Sequence, residues 1–353
     1  MIAGEVLAIA ADGDRFVAVG RTAEAQGSWI STDGGTWDSV PVSPPTDVLE
    51  GLADLPADYA TRGSAMGALV RLDETLYSFG FFNFMDFIRP VAWRWTDGEQ
   101  WEPIVSTSEF FQGGSVTAVV AGSGTLVAAR LGPAISWSGA NSTVWAWRQD
   151  TSWVQGDLSA ADDVQTFITD LAWHDGQYLA IGFVVNPDEA APVGRPVVWT
   201  SADGVSWIEI AAPTDQGRLC ALESNAGGDF IALGLEDDRA VVWASRDGSE
   251  WEGAALPGLG IQPVGAGPFS WPCDLVTVGR HALAVIRSED GSRTWTTSTG
   301  TEWMPGPELP VASVGYPGGQ NLAALNGTLV LFTHEQDTEL GVTSTIQVGV
   351  AAP

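Results

Sequence analysis

Trp29-Ile30-Ser31-Thr32-Asp33-Gly34-Gly35-Thr36-Trp37 sets two tryptophans eight positions apart around a Ser/Thr/Asp/Gly turn. The spacing recurs at Trp93 and Trp101, Trp145 and Trp153, Trp199 and Trp207, Trp243 and Trp251, and Trp295 and Trp303. Repetition at a fixed interval implies a repeat architecture, because each unit needs a neighbour to bury its apolar face. A second element precedes every pair: Arg15-Phe16-Val17-Ala18-Val19-Gly20, then residues 75–80, 125–130, 177–182, 229–234 and 281–286. A seventh copy, 328–333, has no Trp pair after it.

Each unit reads as four short strands. The first, as in 116–121 or 167–173, is apolar nearly throughout, which suits a strand buried on both faces. Asp12-Gly13, Asp175-Gly176, Gly227-Gly228 and Asn326-Gly327 are hairpin turns that accept positive φ. The Phe-Val-Ala-Val-Gly element is the second strand. A variable loop leads to the third, which ends in the first Trp, and the fourth begins at the second Trp. No stretch keeps a helical period. The expected fold is therefore all-β, a single-domain seven-bladed β-propeller over 1–353 with four-stranded antiparallel blades. Its units span about 5–42, 65–105, 115–158, 166–211, 218–255, 273–304 and 320–350, and the last supplies only three strands.

The Trp-pair turn resembles the Asp box of the BNR-repeat, sialidase-like propellers, whose pattern is Ser-x-Asp-x-Gly-x-Thr-Trp. Ser31, Asp33 and Trp37 match it, as do Ser201, Asp203 and Trp207, and Ser245, Asp247 and Trp251. The turn is one residue shorter than the usual box. Asp97 and Trp101 keep the turn but Trp95 stands where Ser would, and Gln149 and Thr299 replace Asp in two further copies. The resemblance covers six of the seven units and implies a propeller. The role of these residues is local: Asp and Ser accept backbone N–H bonds, and Gly supplies the left-handed conformation. The box acids are expected to be structural, not catalytic.

Composition narrows the function. Hydrophobic residues make up 45% of the 353 and charged residues 17%, which excludes a disordered chain. The net charge of −29 arises from 44 acids against 15 arginines, without lysine, so nucleic acid and anionic membrane are poor partners. No apolar run approaches the roughly 20 residues of a membrane span. Met1 leads almost directly into a strand-like segment. An extracellular or cell-surface location with the leader absent is expected, a cytoplasmic one being the alternative. Cys220 and Cys273 sit at matching places in neighbouring units, as a disulfide or as two buried thiols. The three histidines, His174, His281 and His334, are too scattered for a metal site, and no cofactor motif occurs.

Two kinds of loop are expected on the face opposite the Trp-pair turns, where function usually lies. Phe81, Phe82, Phe84, Phe87 and Arg89 make the first, with Phe110, Phe111 and Trp137 as neighbours and Phe269, Trp271 and Tyr316 from later loops. Exposed, they would bind a sugar ring, an apolar ligand or a protein; buried, they would plug a channel mouth. The second kind is acidic, as in Asp188-Glu189, Glu236-Asp237-Asp238, Glu289-Asp290 and Glu335 with Asp337 and Glu339. Such carboxylates could hold calcium or serve a glycosidase, but solvated charge is the favoured reading.

A sialidase would need an early Phe/Tyr-Arg-Ile/Leu-Pro motif, an arginine triad and a tyrosine nucleophile. This chain has Phe87-Ile88-Arg89-Pro90, in a different order and in the second unit. Arg21, Arg195, Arg239, Arg287 and Arg293 are on upper loops, and Tyr59 and Tyr316 are the tyrosines outside second strands. The expected function is a non-catalytic, monomeric binding or scaffold module for a protein or carbohydrate. The alternative is a glycoside hydrolase using carboxylates, arginines and Tyr316.

Overall fold

The computed structural model describes residues 2, 4–45, 64–84, 87–96, 98–104, 108–132, 141–148, 151–158, 164–186, 194–236, 239–257, 273–278, 281–288, 291–306, 322–326, 328–337 and 341–350. The described chain is almost wholly β. Sheet 1 holds β1 (Glu5–Asp12), β2 (Arg15–Arg21), β3 (Gln26–Ser31) and β4 (Asp38–Ser39). Sheet 2 holds β5 (Ser64–Leu72), β6 (Thr75–Phe84), β7 (Phe87–Thr96) and β8 (Gln100–Pro103). Sheet 3 holds β9 (Ser115–Gly122), β10 (Thr125–Leu131), β11 (Ser142–Arg148) and β12 (Val154–Gln155). Sheet 4 adds β13 (Asp157–Leu158) to β14 (Gln165–His174), β15 (Gln177–Val185), β16 (Arg195–Ser201) and β17 (Ser206–Ile210). Sheet 5 holds β18 (Arg218–Ser224), β19 (Phe230–Glu236), β20 (Arg239–Ser245) and β21 (Glu252–Ala255). Sheet 6 holds β22 (Cys273–Val278), β23 (His281–Ser288), β24 (Gly291–Thr297) and β25 (Met304–Pro305). The last sheet has three strands, β26 (Leu322–Leu325), β27 (Thr328–Asp337) and β28 (Gly341–Val350).

The fold is an all-β propeller of antiparallel sheets with six complete blades, not seven. The last unit contains no Trp pair, and so lacks the turn that builds a fourth strand in every other unit. The chain divides into two compact units, residues 1–119 with 318–353, and residues 120–317. Within the first, β1 lies against β5 and β26; within the second, β14 lies between β10 and β18, and β18 against β22.

The core fills the spaces between neighbouring sheets. Val17 and Val19 of sheet 1 pack with Phe82, Trp93, Trp95 and Trp101 of sheet 2. Leu179, Ile181 and Val198 of sheet 4 pack with Leu219, Phe230 and Trp243 of sheet 5. Ten of the twelve paired tryptophans are buried, so the repeat is first of all a fastening between strands. Two outer edges, those of β8 and β17, are covered by the chain itself. The segment leaving β4 runs parallel to β8, with Val42 bridged to Trp101, and β13 lies parallel to β17. Covered edges cannot recruit a strand from another molecule.

The glycine ending the second-strand element has a geometric cause. First strands β1, β5, β14 and β18 carry a register shift, between Val6/Ala8, Ala65/Ala68, Ile168/Asp170 and Leu219/Ala221. Each shift pushes a carbonyl oxygen, of Glu5, Ala65, Phe167 or Arg218, into the space where a Cβ on Gly20, Gly80, Gly182 or Gly234 would stand. Sheet 6 has Ile286 at that position, and there β22 pairs with β23 without a shift. Bulge and glycine come together.

Within the expected aromatic loop at 81–90, residues 81–84 and 87–90 are strand instead. β6 and β7 continue in unbroken register to the pair Phe84 and Phe87. Phe, Ile and Val favour the pleated conformation, and no glycine interrupts residues 81–84 or 87–91.

Candidate functional site

The Trp-pair turns show what their side chains do. Asp33 Oδ1 accepts from the Gly35 and Thr36 N–H groups at 2.8 Å each, and Ser31 Oγ accepts from Gly34 N at 2.8 Å. Asp203 and Ser201 repeat the pattern at Val205, Ser206 and Gly204, and Asp247 and Ser245 at Ser249, Glu250 and Gly248. These backbone donors hold the three carboxyls below their ordinary range, Asp247 down to about 2. None can serve as a proton donor at neutral pH. Thr297 and Thr299 reproduce the network with hydroxyls, Gly300 N reaching Thr297 Oγ1 at 3.0 Å and Glu302 N reaching Thr299 Oγ1 at 3.1 Å. Indole N–H groups of Trp37, Trp207 and Trp303 close the turns by donating to Gly34, Gly204 and Gly300 carbonyls at 2.9–3.2 Å.

The turn of sheet 2 departs from this pattern. Trp95 replaces Ser and lies 5.0 Å from Trp101, ring centre to ring centre. Trp101 donates its indole N–H to Ser28 Oγ of sheet 1 at 2.8 Å instead of to its own turn. Trp147 also replaces Ser in sheet 3, but stacks on Trp153 and donates to Thr151 O at 3.0 Å within its own turn. The opposing residue differs as well. Gly204 and Gly248 lie against the apolar side chains of Val127 and Leu179, whereas Gly98 lies against the guanidinium of Arg15.

The result is a cleft of about 600 Å³ lined by Asp12, Arg15, Glu74, Thr75, Arg94, Trp95, Thr96 and Gly98. Three connections position these residues: the hairpins β1–β2 and β5–β6 and the turn β7–β8. Arg15 lies over the Trp95 ring, 5.7 Å from its centre, and reaches Asp12 at 3.5 Å. Asp12 is also paired with Arg71, whose other Nη donates to Glu74 O at 3.2 Å. Arg94 meets Glu102 at 3.2 Å. Thr96 Oγ1 and Trp95 Nε1 have no hydrogen-bond partner among the described residues. Three of the chain's 15 arginines thus gather at one opening. Sequence reading missed it because the functional residues were sought on the opposite face. The usable signal was Trp95 in a serine position.

The opposite face is described in part. Phe82 is buried, Phe81 and Arg89 are half-buried, and Ile88 is 39% exposed. Phe110 and Phe111, in a 3-10 turn at Glu109–Phe111, are buried, with Phe110 packed edge-on against Phe79 at 6.3 Å. These rings fill the interior. The side chains of Phe84 and Phe87, and Asp97, Trp137, Trp271, Tyr316, Tyr59 and Phe269, lie outside the described residues. Of the arginines, Arg195 pairs with Glu209 at 2.9 Å and Arg21 with Glu5 at 2.6 Å. Arg239 is exposed and Arg293 half-buried, and the side chain of Arg287 is outside the described residues. Among the described residues no three His, Cys, Asp or Glu side chains are placed to share a metal ion.

The second unit holds a different group of acids on its first strands. Asp170 Oδ1 accepts from Leu171 N and Oδ2 from Leu222 N of the next sheet, both at 2.8 Å. Burial pushes its carboxyl up to about 7, with Asp274 adding like charge. Burial also pushes Glu223 up to about 8, and Asp170 adds to it. Cys220 and Cys273 are disulfide-bonded with Cα atoms 5.9 Å apart, Cys220 being the residue skipped at the β18 bulge.

No protein-family model matches the sequence, and no curated protein matches it. Solved structures do. A streptogramin B lyase superposes with TM-score 0.61 at 7% identity, covering 99% of this chain and 95% of the other. The polysaccharide lyase Uly1 gives 0.57 at 11%, covering 100% and 91%. An acylaminoacyl peptidase from Pyrococcus horikoshii gives 0.53 at 9%, covering 88% of this chain and 46% of that one. At such identities the likeness establishes the β-propeller fold and nothing about chemistry.

Proposed function

We propose that the chain is a non-catalytic binding propeller of the Asp-box type, one domain with β26–β28 as an incomplete seventh blade. It engages a glycan or a protein, and acts as a monomer. The cleft at Arg15 and Trp95 carries this reading. There a turn gives up its serine contacts, and paired guanidiniums and carboxylates gather around one opening. The turn acids support it by being spent on backbone N–H groups. An exported or surface location accords with the Cys220–Cys273 disulfide.

The enzymatic reading draws on one observation, two carboxyls, Asp170 and Glu223, that hold protons near neutral pH beside each other. Two lyases share the fold. A panel of oligosaccharides and peptides, measured by calorimetry beside turnover assays, separates the two. Binding lost in Arg15→Ala with no turnover supports the binding module. Turnover abolished by Glu223→Gln overturns it.

A further inference from the structure

We propose that the cleft between the β1–β2 hairpin and the β7–β8 turn binds a neutral, polyhydroxylated ligand, an uncharged oligosaccharide. This rests on the binding reading above and names its ligand class. The lining supplies planar donors from Arg15 and Arg94, planar acceptors from Asp12 and Glu74, and a hydroxyl from Thr75. A sugar hydroxyl both donates and accepts, so adjacent carboxylates and guanidiniums satisfy vicinal hydroxyls together. A carboxylate or phosphate ligand only accepts, and would meet Asp12 and Glu74 with like charge.

The charges also balance. Asp12 and Glu74 offset Arg15 and Arg94 among the lining residues, and Arg71 and Glu102 offset each other behind them. Asp14, Asp73 and Glu99 stand on the same three connections, so an anionic ligand meets net negative surroundings, and the polar walls reject an apolar ligand. The donors are held in place beforehand: Arg15 by the Trp95 face and Asp12, Arg94 by Glu102. Fixed side chains lose little entropy on binding. A cleft of about 600 Å³ falls within the range of small-ligand sites.

The test is calorimetric titration of the full chain with maltohexaose, cellohexaose, xylohexaose and mannohexaose, and with hexagalacturonate as the anionic arm. At least one neutral hexasaccharide binds with a dissociation constant near or below about 1 mM, changing less than about twofold between 50 and 500 mM NaCl. Arg15→Ala and Glu74→Gln each weaken it about tenfold, the loss expected of a charged hydrogen bond. Arg246→Ala, 93% exposed in the other unit, leaves it unchanged. Thr75→Val serves where Arg15→Ala lowers the thermal midpoint. If hexagalacturonate alone binds, and salt removes it, the ligand class is wrong while the binding module stands. If no saccharide binds, or binding ignores Arg15, Glu74 and Thr75 alike, the saccharide site is refuted, and the binding module stands only if a peptide of the panel above binds.

Discussion

Glu223→Gln tests the energetics of the second unit through a change of sign with pH. In the folded chain the Glu223 carboxyl is pushed from 4.5 to about 8 by burial, with the Asp170 charge next. Asp170 is pushed from 3.8 to about 7, with Asp274 contributing. Both folded values lie above the unfolded ones. The stability linked to them is therefore complete below about pH 4, falls as the unfolded chain ionises, and is gone once pH passes the folded values. At ~1.4 kcal/mol per pH unit the Glu223 displacement has an upper bound of about 5 kcal/mol. Both carboxyls keep some solvent contact and titrate as a pair, so about 1–3 kcal/mol is expected in practice. Gln has the shape of the protonated acid and never ionises. Urea unfolding followed by tryptophan fluorescence should thus give Glu223→Gln the wild-type stability at pH 4, within ~0.5 kcal/mol, and 1–3 kcal/mol above wild type at pH 9. The turn acids Asp33, Asp203 and Asp247, held below their ordinary values, are common to both proteins and cancel in the difference. An equal effect at both pH values, or a loss of stability at pH 9, refutes the reasoning.

Three further outcomes follow from the geometry. Gly182→Ala should destabilise by about 3 kcal/mol or more, because its Cβ meets the Phe167 carbonyl across the bulge. Gly176→Ala, at φ 81° with open space around it, should cost only about 1 kcal/mol, and urea midpoints of the two variants check the contrast. Removing the Cys220–Cys273 disulfide by double alanine substitution should cost up to about 4 kcal/mol, from the chain entropy of a 53-residue loop. Equal unfolding of oxidised and reduced wild type would contradict it. Thr299→Asp should raise the melting temperature slightly, by about 0.5–1 kcal/mol in stability, since a carboxylate accepts the Glu302 N–H better than the hydroxyl does.

The fold was legible because its signals are local and repeated. The turn Ser31-Thr32-Asp33-Gly34 carries its own hydrogen bonds, so three letters and a spacing suffice to identify it. The hairpin glycines at φ above zero, such as Gly13 and Gly176, announce themselves in the same way. What failed was inference that depended on where strands stop. Phe81 to Phe84 read as loop because they interrupt the repeat pattern, yet a β-rich run simply lengthens β6 and β7. The carboxyl pair was also invisible. Asp170 and Glu223 lie 53 positions apart, and a bulge at Ile168/Asp170, which only pairing reveals, brings Asp170 to the edge of the next sheet.

The cleft was missed for a different reason, and that reason explains its place in the molecule. A repeat makes most positions equivalent, so chemistry must enter where one copy breaks the pattern at a tolerable structural cost. Sheet 2 tolerates Trp95 because Trp101 finds another acceptor, Ser28, and because the two indoles pack against each other. Gly98 then meets the Arg15 guanidinium, two residues before Val17, which is the counterpart of the Val127 and Leu179 that meet Gly204 and Gly248. Trp147 makes the same substitution in sheet 3, but with an indole bonded inside its own turn it opens no comparable set of charged groups in the described residues. Substitution of serine is therefore insufficient by itself. At this turn the serine is replaced, the paired tryptophan bonds to the neighbouring sheet, and a guanidinium stands against the glycine. Arg15, Trp95 and Trp101 form one coupled unit, and changing any of them should move the other two.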